Sequence, residues 1–207
     1  SPVYLGGVAI GATATSFLFM LLLFLRMSTT GLTAQAYGAK DPLRLARALV
    51  QPLILALGAG ALIVLLRDPL IDLALHIVGG SEAVLEQARR FLEIRWLSAP
   101  ASLANLVLLG WLLGVQYARA PVILLVVGNL LNIVLDLWLV MGLHMNVRGA
   151  ALATAIAEYG TFVMGLWMVW RVLAMRGISL ALLKTAWRGN IRKLLALNRD
   201  IMLRSLL

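Results

Sequence analysis

Cysteine is absent from the 207 residues, which excludes a disulfide framework, a thiolate metal site and a cysteine nucleophile. Histidine occurs twice, at His76 and His144, and neither has a partner at ligand spacing, so no metal cluster is expected. His76 stands alone among aliphatic residues and reads as a solvated or packed side chain. Charged residues make up only 13% of the chain, about half the share of an ordinary soluble domain. There is no HExxH, no GxSxG and no P-loop signature, so zinc-protease, serine-hydrolase and nucleotidase chemistry have nothing to rest on and no enzyme is expected. No basic stripe interleaves with aromatics, so nucleic acid is not an expected partner. The net charge of +9 is better explained by basic loops on one side of a membrane.

What is present is apolar: 62% of the residues are hydrophobic, more than a soluble domain of this size can bury. The chain is therefore an integral membrane protein, with the lipid bilayer as its solvent. Its fold class is all-α, a polytopic membrane bundle of about five transmembrane helices and the start of a sixth. The first span begins near Val3 and continues past Arg26 to Tyr37 as one long helix. Gly7 and Gly11 form a small-xxx-small pair that suits close helix packing. Gly38 and Pro42 punctuate its end. The second span, about Leu45 to Leu66, carries Pro52 inside it, which predicts a bend. Ser81 followed by acids predicts a helix start, and the amphipathic run from there enters the membrane as a third span, about Trp96 to Val115. The fourth covers Pro121 to Leu143 and the fifth about Gly149 to Val169. Beyond it, residues 171–204 are basic and interfacial, with Trp170 and Trp187 suited to the headgroup region. Another helix is expected to start near Asn198.

The fourth span organises the rest. It is long enough to cross about 30 Å of hydrocarbon at about 1.5 Å per residue, yet it holds Asn129, Asn132 and Asp136. At spacings i, i+3 and i+7 these fall on one stripe of a helix. A carboxylate near the bilayer core costs about 2.5–3.5 kcal/mol on insertion scales, so the stripe is expected to face protein or a water-filled cavity. Packing glue between helices is the plainer alternative. Thr154 and Glu158 share a face of the fifth span, and Asn105 lies within the third. Together these six residues form a polar patch of the kind that marks ion and substrate paths.

Counting basic residues by alternate loops gives twelve on one side, including Lys40, Arg44, Arg119 and Lys184, and five on the other, including Arg67, Arg89, Arg95 and Arg148. The richer side is expected to be cytoplasmic. With five spans the first residues then lie outside, which predicts a further span upstream. The opening Ser1-Pro2 shows no signal-peptide pattern, and the chain stops within a helical pattern, so a fragment of a longer protein is expected.

The run GLTAQAYGAKDP, and LGVQYARAP followed by GNLLNIVLDLWLVMGLHMNVRGAALATAIAEY, resemble the multidrug and toxic compound extrusion (MATE) family, in its bacterial DinF-like branch. The resemblance covers nearly the whole chain, as helices two to six plus the start of helix seven. It implies an N-terminal lobe over residues 1–190, lacking its first helix, and an inter-lobe linker with the start of the seventh helix over 191–207. It implies a twelve-helix, two-lobed transporter of the bacterial inner (plasma) membrane that alternates access. Such a protein exports small organic cations, mostly xenobiotics, in exchange for protons or sodium, with no other cofactor. By motif, the coupling ion would be held by Asp136, Asn132 and Thr154, with Asn105 less securely aligned. Bound sodium at those residues would be the only metal. Asn129 and Glu158 lie outside the motif; Glu158 reads as a helix-packing acid or a secondary proton carrier. The first helix, with the acid that usually centres this site, and the C-terminal lobe are missing partners, so this stretch alone is not expected to transport. A lipid-linked oligosaccharide flippase of similar two-lobed build and a non-transporting membrane scaffold are the alternatives.

Overall fold

The computed structural model describes residues 2–21, 23–117, 119–178, 199–201 and 203–204. Eight α-helices account for most of these: α1 (Pro2–Leu21), α2 (Phe24–Gly38), α3 (Pro42–Leu65), α4 (Arg67–Val78), α5 (Glu82–Arg95), α6 (Ala99–Gly114), α7 (Arg119–Asp136) and α8 (Asn146–Met175). A 3-10 turn at Trp96–Ser98 joins α5 to α6, and a π-helical turn at Leu137–Gly142 extends α7. No strand occurs among the described residues. Among the described residues four stretches are long and apolar enough to cross a membrane: Pro42–Leu65, Glu82–Gly114, Arg119–Gly142 and Val147–Met175, with Pro2–Leu18 as a shorter apolar helix.

The expected first long helix is divided: α1 ends at Leu21 and α2 starts at Phe24, with Leu23 N donating to Met20 O at 3.2 Å, three residues back. The third span is longer than expected, because α5, the 3-10 turn and α6 run as one 33-residue stretch. These two broken helices lie side by side, parallel and in fixed register. Gly7 faces Gln87, Gly11 faces Phe91, and Gly110 and Gly114 face Thr30 and Thr33. A Cβ at Gly7 or Gly11 would overlap its neighbour outright, and one at Gly114 would come within 2.5 Å of Thr33 Cβ. The small-xxx-small pair therefore has a packing role, and a second such pair on α6 meets α2. Gly60 brings α3 equally close to the backbone of Ala99 and Pro100.

Each half of the bundle has a core around a fully buried tryptophan. Trp96 Nε1 donates to Thr15 Oγ1 at 2.9 Å, and Trp111 Nε1 donates to Leu45 O at 3.0 Å, so neither ring buries an unmet donor. The helix ends follow the sequence in part. Ser81 accepts from Val84 N at 3.4 Å to cap α5, and Asp41 accepts from Leu43 N and Arg44 N to cap α3, with Pro42 in its first turn. The stop after α2 is not made by Gly38, which is helical. Lys40 takes the left-handed conformation (φ 53°), and Asp41 N donates back to Ala36 O at 3.2 Å, the bond pattern of a Schellman turn. His76 is exposed on α4. The expectations for Lys184 and Trp187 fall outside the described residues. Near the expected last helix, Arg199–Ile201 and residues 203–204 are helical.

Candidate functional site

α7 is the most lightly covered of the long helices, with 11% of its apolar window buried against the rest of the chain. It packs mainly on α8, and glycines set the approach: a Cβ at Gly128 would lie 2.7 Å from Thr161 Oγ1, and one at Gly160 2.8 Å from Leu131 Cδ2. That closeness lets short polar side chains meet across the two helices. Asn132 Nδ2 lies 3.3 Å from Thr154 Oγ1, and the Thr154 hydroxyl donates to Ala150 O at 3.1 Å within its own helix. Thr154 Oγ1 is also 3.4 Å from Asn132 Oδ1, so the hydroxyl can accept from the Asn132 amide nitrogen while donating to Ala150 O, or donate to Asn132 Oδ1 instead.

Asp136 follows one turn along the same face of α7. It is half-buried and forms no side-chain hydrogen bond or ion pair with another described residue. The helix changes pitch directly after it: Leu143 N donates to Trp138 O at 2.9 Å, five residues back. Single π turns of this kind often accompany functional sites. Asn129, the third member of the expected stripe, is exposed on α7 and stands apart from the Asn132–Thr154 contact.

Asn105 belongs to a different group. Its Nδ2 lies 3.1 Å from Glu158 Oε2 and 3.1 Å from the Glu158 backbone oxygen, so it joins α6 to α8 rather than meeting Asn132. Arg95 Nη2 lies 3.8 Å from Glu158 Oε1, and Arg95 Nη1 donates to Ser98 Oγ at 2.5 Å. Sequence reasoning counted Arg95 among the basic residues of one membrane side and missed its role. The available signal was its position next to Trp96 in a run that enters the membrane. The π turn had no comparable cue beyond Gly142.

The donors around the α7–α8 contact are an amide oxygen, a hydroxyl and a carboxylate. All are hard oxygen ligands, suited to a proton or an alkali cation rather than to a soft metal. No group of three or more His, Asp or Glu side chains that could hold a transition metal occurs among the described residues.

The profile of the MatE family matches residues 1–138. The chain is 86% identical over all 207 residues to the DNA damage-inducible protein F of Escherichia coli, and spans 45% of that protein's length. It is 34% identical over 128 residues to the multidrug export protein MepA of Staphylococcus haemolyticus, covering 58% of this chain and 27% of MepA. Its backbone superposes on a MATE crystal structure in the straight conformation with a TM-score of 0.84 at 25% identity, covering 100% of this chain and 46% of that one. A transporter of the MOP superfamily from Pyrococcus furiosus gives 0.82 at 26% identity, again over 100% of this chain and 46% of that one. This chain thus spans under half the length of these relatives, and with its family profile, its all-helical build and its membrane-length helices it belongs to the MatE family.

Proposed function

We propose that the full-length protein is a multidrug exporter of the bacterial inner membrane that couples efflux of organic, mostly cationic, compounds to inward movement of protons or sodium. Asp136, Asn132 and Thr154 hold the coupling ion in the lobe represented here. The observation that supports this most is the pairing of Asn132 with Thr154 at 3.3 Å, beside a half-buried acid that no other described residue neutralises.

An acid in that setting has two stable ways to lose its charge: take a proton or bind a cation. In either form the α7 face becomes less polar, and the packing of α7 on its surroundings changes. A bound organic cation competes for the same negative charge. Export then follows if the two occupants favour opposite-facing states, because each ligand shifts the equilibrium only by its difference in affinity between them. Asn132 Oδ1 and the Thr154 hydroxyl supply neutral oxygens that fit sodium or a proton-bearing carboxylate.

Gradient-driven ethidium export and membrane abundance, measured together for Asp136→Asn, Asn132→Ala and Thr154→Ala in the full-length protein, test the proposal. Asp136→Asn should insert normally, since an amide is cheaper to bury than a carboxylate, and should lose coupled export. The two alanine variants should keep part of it, because the charge remains. If the seam is structural glue instead, Asp136→Asn is nearly silent and lost activity tracks lost protein.

A further inference from the structure

The second polar group, around Glu158, lies outside the proposed ion site yet shares a helix face with it. Glu158 is one turn from Thr154 on α8. Its carboxylate receives Asn105 Nδ2 at 3.1 Å from α6 and faces Arg95 Nη2 at 3.8 Å from the end of α5. Its backbone oxygen accepts from the same Asn105 amide at 3.1 Å. The next residue, Tyr159, donates its hydroxyl to Leu97 O at 2.8 Å. Two successive residues of α8 are thus tied to both sides of the Trp96–Ser98 turn. The side chains of Arg95 and Glu158 are 10% and 29% exposed, so neither charge is simply solvated.

We propose that Arg95, Asn105 and Glu158 form a polar clamp that fixes the rotation and height of α8 against α5 and α6, making Arg95 and Glu158 positioning residues for the Asn132–Thr154 pair. Apolar contact along α6 and α8, such as Gly165 on Leu108, tolerates small rotations. A charge pair with a shared amide does not, because turning α8 separates opposite charges in a medium of low dielectric. Rotation at Glu158 carries Thr154 with it, and with it the hydroxyl that faces Asn132. The consequence for ion binding rests on the function proposed above; the clamp itself does not.

The test uses full-length protein in proteoliposomes, in a background without other cysteines. An ideal Cβ at Gly165 lies 3.8 Å from Leu108 Cβ, a separation that suits a disulfide. Cysteines at these two positions therefore report the α6–α8 register without touching either polar group. Glu158→Gln and Arg95→Gln should slow oxidative cross-linking of that pair severalfold. In the absence of the cysteines they should raise the half-saturating concentration of sodium or protons for ethidium export by about tenfold, within the usual range of site-to-site coupling, with the maximal rate close to the reference. Exchanging the charges, Arg95→Glu with Glu158→Arg, should restore both readouts towards the reference. If either single variant fails to insert, the exchange, which retains both charges, decides. Unchanged cross-linking in well-inserted single variants, or an exchange no better than the singles, overturns the clamp. Asp136→Asn serves as the control: reference-level export by it overturns the ion-site reading, while cross-linking still judges the clamp by itself.

Discussion

Two acids of the polar patch, Glu158 on α8 and Asp136 at the end of α7, differ in their surroundings. Glu158 is partnered by its own chain: an amide from α6 and a guanidinium from α5, while the neighbouring Tyr159 bonds the turn between those helices. Asp136 sits on α7, whose buried residues are Ala120, Pro121 and Leu124, one turn from the Asn132–Thr154 contact, with no described side chain to answer its charge. A carboxylate whose partners are built in behaves as structure, since its charge is already matched and removing one side leaves the other uncompensated. A carboxylate with no partner among the described residues takes its counter-charge from elsewhere: another segment of the full-length protein, a proton or a cation. On this reading the difference between a packing acid and a working acid lies in who supplies the counter-charge, not in depth or burial.

The largest expected effect breaks that contrast at Asp136. Asp136→Asn should reduce gradient-driven ethidium export to background, a loss of at least about a hundredfold, with normal abundance in the membrane. Glu158→Ala should do the reverse: membrane abundance falls first, because Arg95 is left without its carboxylate, and activity per inserted molecule falls less. Immunoblotting of membranes beside transport assays separates the two patterns.

An intermediate effect concerns the frame that carries both acids. Gly11→Val places a Cβ into the Phe91 ring and should cost about 1–3 kcal/mol of overpacking, read as a lower thermal midpoint in detergent. Gly31→Ala, where a Cβ meets nothing within 4 Å, should leave the midpoint unchanged or slightly raised, since alanine is the better helix former. Equal losses from both would mean that the parallel packing of α1–α2 on α5–α6 does not carry the frame.

The smallest effect sharpens the comparison from the other end. Glu86 and Arg90 form an ion pair at 2.9 Å with side chains 61% and 42% exposed. Glu86→Gln should change stability by less than about 0.5 kcal/mol, because water matches both charges without help. A thermal shift there as large as that of Glu158→Gln would show that burial does not set how much a built-in pair contributes to stability.

Much of this was legible in the residues. The apolar runs, the Ser81 cap and the Gly7–Gly11 pair follow from spacing and from short-range chemistry, whereas the grouping of Asn132 with Thr154 rests on the family resemblance. Those signals are local, and a helix face repeats every three to four residues whatever surrounds it. What was not legible depends on tertiary placement. Asn105 is, with Ser102, one of two polar residues in an apolar helix, and only the crossing of α6 and α8 selects Glu158 as its partner over Asn132. Arg95 reads as an interfacial charge until the 3-10 turn shows the helix continuing past it. The stop after α2 moved from Gly38 to Lys40 because Asp41, bonded back to Ala36, also caps α3, and the chain turns where both ends are satisfied.

The central claim is that Asp136 holds an exchangeable ion, and displacement of that ion reads it without transport. Full-length protein in weakly buffered detergent is mixed with tetraphenylphosphonium while a pH indicator and a sodium electrode record release. Linkage requires that a ligand competing for the site expel its occupant. The account predicts release of protons or sodium from the reference protein and from Glu158→Gln, and none from Asp136→Asn that still binds tetraphenylphosphonium. Equal release from a well-folded Asp136→Asn protein would contradict it.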